Sequence, residues 1–312
     1  MKNISNGTAI SQLPITLPSY AKLNLSLAVS EEIVDGKHLL QSVFTTIDLS
    51  DQLCIDISAK AEPAVTIDMT FAERLHRIQI PLQKNIIYQA ICEYLNQLEQ
   101  TLPINLHITV QKNIPTQAGL GGGSSNAAAA LNAMQMLCDN TLSTEQLRTI
   151  AAILGADVSF FLDGGCALMT GHGEHMVARL WLPPIDIVLV KPDFGLSTAL
   201  VYQQFDRSPK PAGNIDAMVD LLQPPSRRSN KTVNAENLAA LLTNNLTQAA
   251  ESLAPEIANI TAALERQPGI CKAMLAGSGS TVFAIAKDRQ SALSAAKIFD
   301  AQGLFTKVCK TI

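Results

Sequence analysis

The sequence predicts an α+β protein built from two domains. The chain has 312 residues, about twice the length of a typical single domain. Strand and helix patterns follow one another without the regular alternation that a parallel sheet requires. The last third of the chain has the order of a two-layer split βαβ domain, and a buried strand at 185–192 opens this second part. We therefore expect an N-terminal domain of residues 1–180 and a C-terminal domain of residues 181–312.

Composition excludes several classes of protein. Apolar residues make up 47% of the chain and charged residues 16%, as in a globular protein. The net charge is −4, and the chain has four Tyr and one Trp. It therefore lacks the basic and aromatic surface that is typical of a nucleic-acid-binding protein. No window reaches the roughly 18 apolar residues of a membrane span, so we expect no membrane partner. The six cysteines show no paired or metal-ligand spacing, which predicts reduced thiols and a cytoplasmic protein.

Alternation of apolar and polar residues defines the first elements. Residues 1–18 predict an irregular leader. A strand follows at 22–29, with its leucines on one face and Lys22 and Asn24 on the other. Taken alone, Lys22 reads as an exposed strand lysine, although Asn24 on the same face argues against this. An amphipathic helix is predicted near 84–99.

A glycine-rich loop is the most unusual motif of the chain. The stretch PTQAGLGGGSSNAAAAL follows a strand at 106–110 and precedes a helix predicted at 127–138. Glycines let backbone N–H groups approach a ligand, and a helix start carries partial positive charge. A tight turn would need only one or two glycines, so the loop predicts a phosphate site. Ser124 and Ser125, which we place at the helix cap, supply hydroxyls for phosphate oxygens or Mg²⁺.

Two familiar phosphate loops are excluded by spacing. A Walker A loop ends in GK followed by Ser or Thr, and this loop contains no lysine. A dinucleotide-binding loop needs the pattern GxGxxG. Here Gly119-x-Gly121 is followed by Ser124, and Gly121-x-Gly123 is followed by Asn126. Any cation that faces the phosphates must therefore come from elsewhere in the chain.

A second helix is predicted after the loop. Ser143 serves as its N-cap, Gln146 completes a capping box, and Gly155 ends the helix. Asp157 lies just beyond this end, and local sequence alone favours a helix N-cap role for it. The apolar stretch at 153–169 is interrupted by aspartates and glycines, which predicts core rather than membrane.

The C-terminal part predicts alternating helices and strands. Residues 206–232 are rich in Pro, Ser and charge, which indicates a surface excursion. The elements expected after it are helices at 235–246 and 255–266, strands at 272–275 and 281–286 around the turn GSGS, a helix at 289–300 and a last strand.

Three motifs in order resemble those of the GHMP kinases. They are PSYAKLNLSL at 18–27, PTQAGLGGGSSNAAAAL at 115–131 and MLAGSGSTVFAI at 274–285, with LGADVSFFLDGG between the last two. The resemblance implies a ribosomal-protein-S5-domain-2-like N-terminal domain and a ferredoxin-like α+β C-terminal domain. It also implies transfer of the γ-phosphoryl group of ATP to a small-molecule hydroxyl, with ATP and Mg²⁺ as cofactors.

The same resemblance assigns residues to roles. Asp157 is the implied catalytic aspartate, and Lys22 is its partner lysine, which keeps the carboxylate ionised. Ser124 is the implied Mg²⁺ ligand. The implied ATP-binding residues are Pro115, Thr116, Gln117, Ala118, Gly119, Leu120, Gly121, Gly122, Gly123, Ser124, Ser125, Gly277, Ser278 and Gly279. For the last three, an ordinary hairpin turn is the alternative.

Within this family, the chain resembles the branch that acts on 4-diphosphocytidyl-2-C-methyl-D-erythritol. This implies a small-molecule partner that contains cytidine diphosphate. The implied substrate-binding residues are Asn24, His38, Thr198 and Tyr202. His38 ends the stretch Asp35-Gly36-Lys37-His38, in which Lys37 replaces the usual tyrosine. The alternatives are a surface role for His38 and a core role for Tyr202.

Other functions stay open at this stage. A GHMP kinase of the mevalonate, phosphomevalonate or homoserine type is the nearest alternative, and a non-catalytic nucleotide-binding relative is the second. A dehydrogenase is disfavoured because the dinucleotide spacing fails. The histidines of GHGEH at 171–175 have no third ligand cluster, which argues against zinc. The expected assembly is a monomer or a homodimer.

Overall fold

The computed structural model describes residues 13–58, 64–99, 105–227 and 232–312. The chain divides into two compact units whose segments alternate along the sequence. Unit 1 comprises Met1–Tyr20, Leu49–Pro115 and Gly121–Asp163, and unit 2 comprises Ala21–Asp48, Thr116–Leu120 and Gly164–Ile312. Mixed strands and helices confirm the α+β class. The domain boundary after residue 180 stays a prediction.

Strands and helices are numbered in chain order. The strands are β1 Ile15–Val34, β2 Lys37–Ser58, β3 Val65–Phe71, β4 Asn105–Lys112, β5 Cys166–Thr170, β6 His175–Leu180, β7 Asp186–Lys191, β8 Thr243–Asn244, β9 Ile270–Leu275, β10 Val282–Ala286 and β11 Phe305–Lys310. The helices are α1 Ile86–Gln97, α2 Gly122–Leu137, α3 Thr144–Leu154, α4 Ala156–Asp163, α5 Thr198–Arg207, α6 Ile215–Leu221, α7 Ala235–Ala239, α8 Thr247–Leu253, α9 Glu256–Glu265 and α10 Arg289–Asp300.

Unit 1 packs helices α1 to α4 with three paired strand segments. β4 pairs in parallel with β3 and antiparallel with residues 52–58 of β2. One apolar cluster joins the strands to the helices, and α2 lies at its centre. Eleven of the 16 residues of α2 are buried, among them the alanine run at 127–130. Alanine has high helix propensity and no bulk, so α2 can be enclosed on most of its surface.

Unit 2 contains a four-stranded antiparallel sheet in the order β11-β7-β10-β9. Helices α9 and α10 pack on this sheet, and α5 packs on α8. Within the same unit, β5 pairs with residues 42–45 of β2 and with β6, and the short β8 runs parallel to residues 26 and 27 of β1. No helix among the described residues is long and apolar enough to cross a membrane.

Several sequence-based expectations for the N-terminal half are wrong. The predicted leader ends earlier, because β1 already begins at Ile15; residues 1–12 lie outside the described part of the chain. β2 and β3 were not predicted. Asp35 and Gly36 have φ of 51° and 75° and join β1 to β2, which is the backbone of a two-residue type I′ hairpin turn.

Other expectations are confirmed or corrected by capping and pairing. Ser143 and Gln146 form the predicted capping box, and α3 ends at Gly155. The helix predicted at 235–246 begins at the expected residue but is too long, because α7 stops at Ala239 and the chain enters β8. The surface excursion at 206–232 contains α6, which starts at an asparagine cap and buries three apolar residues. The predicted elements at 255–266, 272–275, 281–286 and 289–300 are confirmed to within two residues.

Candidate active site

The glycine loop runs directly into the first turn of α2. Gly121 is the N-cap, with φ of 70° and ψ of 17°, and the helix begins at Gly122. Placing Ser124 and Ser125 at the cap was therefore wrong, since both lie inside the first turn. A helix leaves its first backbone N–H groups without intrahelical partners. In α2 these groups belong mostly to glycines, so an anion can approach them closely.

The preceding part of the loop belongs to unit 2. Hydrogen bonds donated to its backbone carbonyls hold it in place. Leu120 O accepts a hydrogen bond from the backbone N–H of Lys22 at 3.0 Å. Gln117 O and Ala118 O each accept from the third motif, from Ser280 N and Thr281 N at 3.3 Å. These bonds, from the first and third motifs, fix the path of the loop.

Gly119 makes the closest contact between the second and third motifs. It has φ of +75°, and a Cβ at this position would lie 1.9 Å from Ala276 O and 3.2 Å from Gly279 N. The clash is with backbone, which cannot rotate away as a side chain would. Gly119 is therefore required by space as well as by backbone conformation.

Replacing Gly119 with alanine is expected to raise the KM for ATP at least about tenfold, which corresponds to about 1.4 kcal/mol. The added methyl group would push the loop away from Ala276 and misplace the N–H groups at the start of α2. Gly303→Ala is the matched control, because Gly303 also has positive φ, of +81°, but nothing lies within 4 Å of its Cβ position. Steady-state kinetics test this, and equal KM values in the two variants would contradict it.

Lys22 is buried, with an exposed fraction of 5%. Its Nζ donates to Asn24 Oδ1 at 2.8 Å and lies 4.9 Å from the centroid of the Phe44 ring. Asn24 Nδ2 in turn donates to Ser42 Oγ at 2.8 Å. The alternative of an exposed strand lysine is wrong. Burying an amine is costly without partners, and these contacts help to stabilise the buried side chain.

The three sequence motifs meet around Gly277. A Cβ on this residue would lie 3.6 Å from Lys22 Nζ and 3.3 Å from both Asn24 Oδ1 and Gly119 O. Residues 276–281 do connect two antiparallel strands, as the hairpin alternative predicted. The same residues also contact the glycine loop and the buried lysine. A lysine from β1 thus lies in the same cluster as Gly119 of the glycine loop, which has no lysine of its own.

Asn244 is a supporting residue that the sequence did not single out. It is 8% exposed, and its Nδ2 donates to Leu275 O at 3.0 Å and to Gly277 O at 2.8 Å. Its Oδ1 accepts from Leu246 N at 3.0 Å. The residue therefore fixes the carbonyls of the third motif from β8. The only sequence signal was a pair of asparagines inside a predicted helix, where asparagine is a poor helix former.

Asp157 lies in the first turn of α4, in unit 1, and is half-buried. The helix begins at Ala156, so the alternative in which Asp157 is the N-cap is wrong. The catalytic role of Asp157 stays a prediction.

His38 lies in a cluster of aromatic and acidic groups in unit 2. Its Nδ1 is 2.7 Å from Ser30 O, and its Nε2 is 2.9 Å from Asp206 Oδ1. The ring centroid lies 5.5 Å from that of Tyr202 and 5.9 Å from that of Phe205. Because the side chain is only 8% exposed, a surface role for His38 is wrong. The structure brings the two predicted base-binding residues, His38 and Tyr202, together.

Thr198 begins α5 and contacts the third motif. Its Oγ1 lies 2.9 Å from Ser278 Oγ. Tyr202 lies one turn further along the same helix and packs partly against the apolar core of unit 2. Position 37 is an exposed lysine, and a lysine supplies no aromatic ring beside His38. The predicted substrate residues of α5 therefore adjoin the third motif.

The residues present fit Mg²⁺ only as an ion held jointly with phosphates. Among the described residues, no group of three or more His, Cys, Asp or Glu side chains could hold a metal ion. Mg²⁺ usually takes one or two protein ligands and fills its shell with water and phosphate oxygens. Ser125 is buried, and its hydroxyl accepts a hydrogen bond from Ser19 Oγ at 2.9 Å. Ser124 is half-buried in the same turn and is the better candidate ligand.

A buried ion pair in unit 1 lies beneath the start of α2. Lys112 donates to Asp51 Oδ2 and to Asn126 Oδ1, and both members of the pair are almost fully buried. Asp51 Oδ1 also accepts from the backbone N–H groups of Asn113 at 2.7 Å and Ile114 at 2.8 Å. The pair thus ties β2 and β4 to the residues that lead into the glycine loop.

The sequence did not single out this pair. Asp51 and Lys112 are 61 positions apart, and each one, taken alone, reads as a solvated charge. A Cβ on Gly122, the first residue of α2, would lie 3.6 Å from Lys112 Nζ. This ion pair therefore lies directly beside the helix start.

Comparisons with known proteins agree with the motifs. The family profile described as GHMP kinases N terminal domain matches residues 85–165, and the profile described as GHMP kinases C terminal matches residues 229–303. The chain is 36% identical over 286 residues to the 4-diphosphocytidyl-2-C-methyl-D-erythritol kinase of Desulfitobacterium hafniense strain Y51, and the match covers 90% of each chain. A protein of the same name from Shouchella clausii strain KSM-K16 is 36% identical over 266 residues, which cover 85% of this chain and 83% of the relative.

A solved structure gives the same answer for the fold. The crystal structure of a 4-(cytidine 5'-diphospho)-2C-methyl-D-erythritol kinase matches with a TM-score of 0.73 and 29% sequence identity, over 95% of this chain and 99% of that one. Identity of this extent over most of both chains establishes the family that the three motifs indicated. The chain belongs to the GHMP kinases.

Proposed function

We propose that this chain is a kinase that transfers the γ-phosphoryl group of ATP to the 2-hydroxyl of 4-diphosphocytidyl-2-C-methyl-D-erythritol. The products are the 2-phosphate and ADP. The observation that carries the proposal is the meeting of three motifs around Gly277, where Lys22 Nζ and the carbonyl of Gly119 face the same point. Curated relatives that cover about nine tenths of the chain bear the name of this activity.

The nucleotide half of the site rests on backbone groups. The N–H groups of Gly122, Gly123 and Ser124 open α2 and offer donors to the phosphates. Lys22 supplies a fixed positive charge for the transferring group. Mg²⁺, when bound with ATP, would neutralise phosphate charge, and Ser124 is its candidate ligand.

The acceptor half of the site rests on side chains. His38 and Tyr202 form the surface proposed for the cytosine ring, and Asp206 orients His38 through its Nε2. Asn24 and Thr198 lie against the third motif and would contact the acceptor near its reacting end. Asp157 would take the proton that leaves the hydroxyl as the new oxygen–phosphorus bond forms.

Acceptor choice separates this function from its nearest alternatives. Purified protein with ATP and Mg²⁺ is offered 4-diphosphocytidyl-2-C-methyl-D-erythritol, mevalonate, phosphomevalonate or homoserine, and ADP release is measured. We expect turnover with the cytidyl acceptor alone. Turnover with one of the others, and none with the cytidyl acceptor, would replace the proposed substrate while leaving the kinase assignment intact. Binding of ATP without turnover on any acceptor would favour a non-catalytic relative.

We further propose that the protein works in the cytoplasm as a monomer or a homodimer. Each of the six cysteines is a free thiol, which suits a reducing compartment. Burial raises the pKa of the Cys166 and Cys309 thiols to about 12, so these two are poor nucleophiles at neutral pH. Size-exclusion chromatography with light scattering measures the assembly state.

A further inference from the structure

A short segment of unit 2 contacts the second and third motifs and then leads into α5, the helix that carries the proposed acceptor residues. This connecting segment, residues 192–197, joins the end of β7 to the start of α5. From the sequence, no functional role was assigned to its residues. The contacts described below lie within unit 2, and a buried lysine holds the segment in place.

Lys191, the last residue of β7, donates to two backbone carbonyls of the segment. Its Nζ lies 2.9 Å from Pro192 O and 2.8 Å from Phe194 O, and the residue is 5% exposed. Burial lowers the pKa of Lys191, and the nearby charge of Asp193 opposes that effect. The buried ammonium has lost most of its hydration, and its hydrogen bonds to two carbonyls of the next turn replace that water. These bonds restrict the conformation of the turn.

The connecting segment touches the second and third motifs at three points. Ser280 Oγ donates to Phe194 O at 2.6 Å, so this carbonyl receives two hydrogen bonds, the other from Lys191. Gly195 packs so closely on Gln117 that a Cβ would lie 2.4 Å from the Gln117 side chain. A methyl group of Leu196 lies 3.3 Å from the Cβ position of Gly279.

The segment ends where the acceptor residues begin. Thr198 Oγ1, at the start of α5, lies 2.9 Å from Ser278 Oγ of the third motif. Tyr202 and Asp206 follow on the same helix and contact His38. A shift of the segment would therefore move the surface proposed for cytosine together with the contacts to the nucleotide loops.

We propose that Lys191 is a positioning residue, and that the connecting segment it fixes makes ATP binding and acceptor binding mutually favourable. The inference rests on the proposed function for the identity of the acceptor. Binding of either ligand would set the position of the segment, and because Lys191 holds residues 192–197 as one piece, that position is passed to the other binding site. Lys191 acts through residues 192–197 and needs no contact with substrate.

The test is a binding measurement. The Kd of a non-hydrolysable ATP analogue is measured by calorimetry with and without saturating 4-diphosphocytidyl-2-C-methyl-D-erythritol, and the ratio is the coupling factor. We expect a coupling factor of at least about fivefold in the wild type, within the usual range for linked sites, and below about twofold in Lys191→Met. Methionine keeps the aliphatic stem of Lys191 and removes its donors.

Lys272→Met is the matched control. Lys272 Nζ also donates to a backbone carbonyl, Leu242 O at 2.9 Å, and this carbonyl precedes β8 rather than belonging to the connecting segment. We expect this variant to keep the wild-type coupling factor, although it too loses a lysine-to-carbonyl bond. Ser280→Ala, which removes the other donor to Phe194 O, is a milder second variant and should lower the factor in part.

The outcomes separate this inference from the proposed function. An acceptor that binds but shows no coupling in the wild type, or the same coupling in Lys191→Met, overturns the role of Lys191 and leaves the function intact. Equal loss of coupling in Lys272→Met overturns it as well, because the effect would then be general loosening. An acceptor that does not bind the wild type at all overturns the proposed function and this inference together. If Lys191→Met does not fold, an unchanged coupling factor in Ser280→Ala rejects the inference.

Discussion

Asp157→Asn is expected to lower kcat about 10²- to 10⁴-fold, the range that a general base contributes. Asparagine keeps the size of the side chain but cannot accept a proton from the acceptor hydroxyl. The Kd of an ATP analogue should change less than about threefold, since binding energy from groups that do not react is kept. Single-turnover kinetics and calorimetry measure the two quantities separately. Near wild-type turnover in this variant would remove Asp157 from the mechanism.

A second aspartate provides the control for this variant. Asp163 ends the same helix and pairs with Arg148 at 3.0 Å. Asp163→Asn changes the same functional group on α4, at the far end from Asp157. We expect its kcat to stay within about threefold of the wild type, because a partly exposed ion pair contributes little. A similar fall in both variants would indicate a general effect of charge on the helix.

Asp51→Ala is expected to lower the free energy of unfolding by about 3–5 kcal/mol, the usual cost of leaving one member of a buried ion pair alone. Lys112 would keep only Asn126 among the side-chain partners described here, and two backbone N–H groups would lose their acceptor. Urea denaturation at neutral pH, followed by circular dichroism, measures the change.

Two further variants test whether the loss of stability in Asp51→Ala comes from an uncompensated buried charge. The double variant Asp51→Ala, Lys112→Met removes both charges and should recover part of the stability, because no uncompensated charge stays buried. Arg148→Ala breaks an exposed pair and should cost less than about 1 kcal/mol. A cost for Asp51→Ala as small as that for Arg148→Ala would show that the buried pair is not a major contribution to stability.

Signals whose cause is local predicted the structure well. Ser143 and Gln146 were recognised as a capping box because both partners lie within one turn. The turn at Asp35 and Gly36 is equally local and was missed, because the pair was interpreted only as a substrate motif. Read as a turn, an Asp-Gly pair is among the strongest hairpin signals, and it would have predicted β2.

Structural features that depend on residues distant in the chain could not be predicted from the sequence. The chain leaves the helical path before β8 because Thr243 and Asn244 pair with β1, more than 200 positions earlier. Lys191 lies at the end of a strand predicted to be buried, and Lys112 follows a predicted strand, but nothing in their local sequence shows which oxygens will face them in the fold. The family motifs identified Lys22, Asn24, the glycine loop and the loop of the third motif, whereas the residues that support them depend on packing in the fold.

The enclosure of α2 affects how sequence variation in this protein should be interpreted. In a saturation-mutagenesis experiment, positions such as Ala127, Ala128 and Ala130 would tolerate few substitutions, although none is a predicted ligand contact. Each is at most 1% exposed, so a larger side chain would overpack the core at a cost of about 1–3 kcal/mol. Intolerance along this helix therefore reports crowding. Only its first turn, from Gly122 to Ser125, should show losses of catalysis in proteins that remain fully folded.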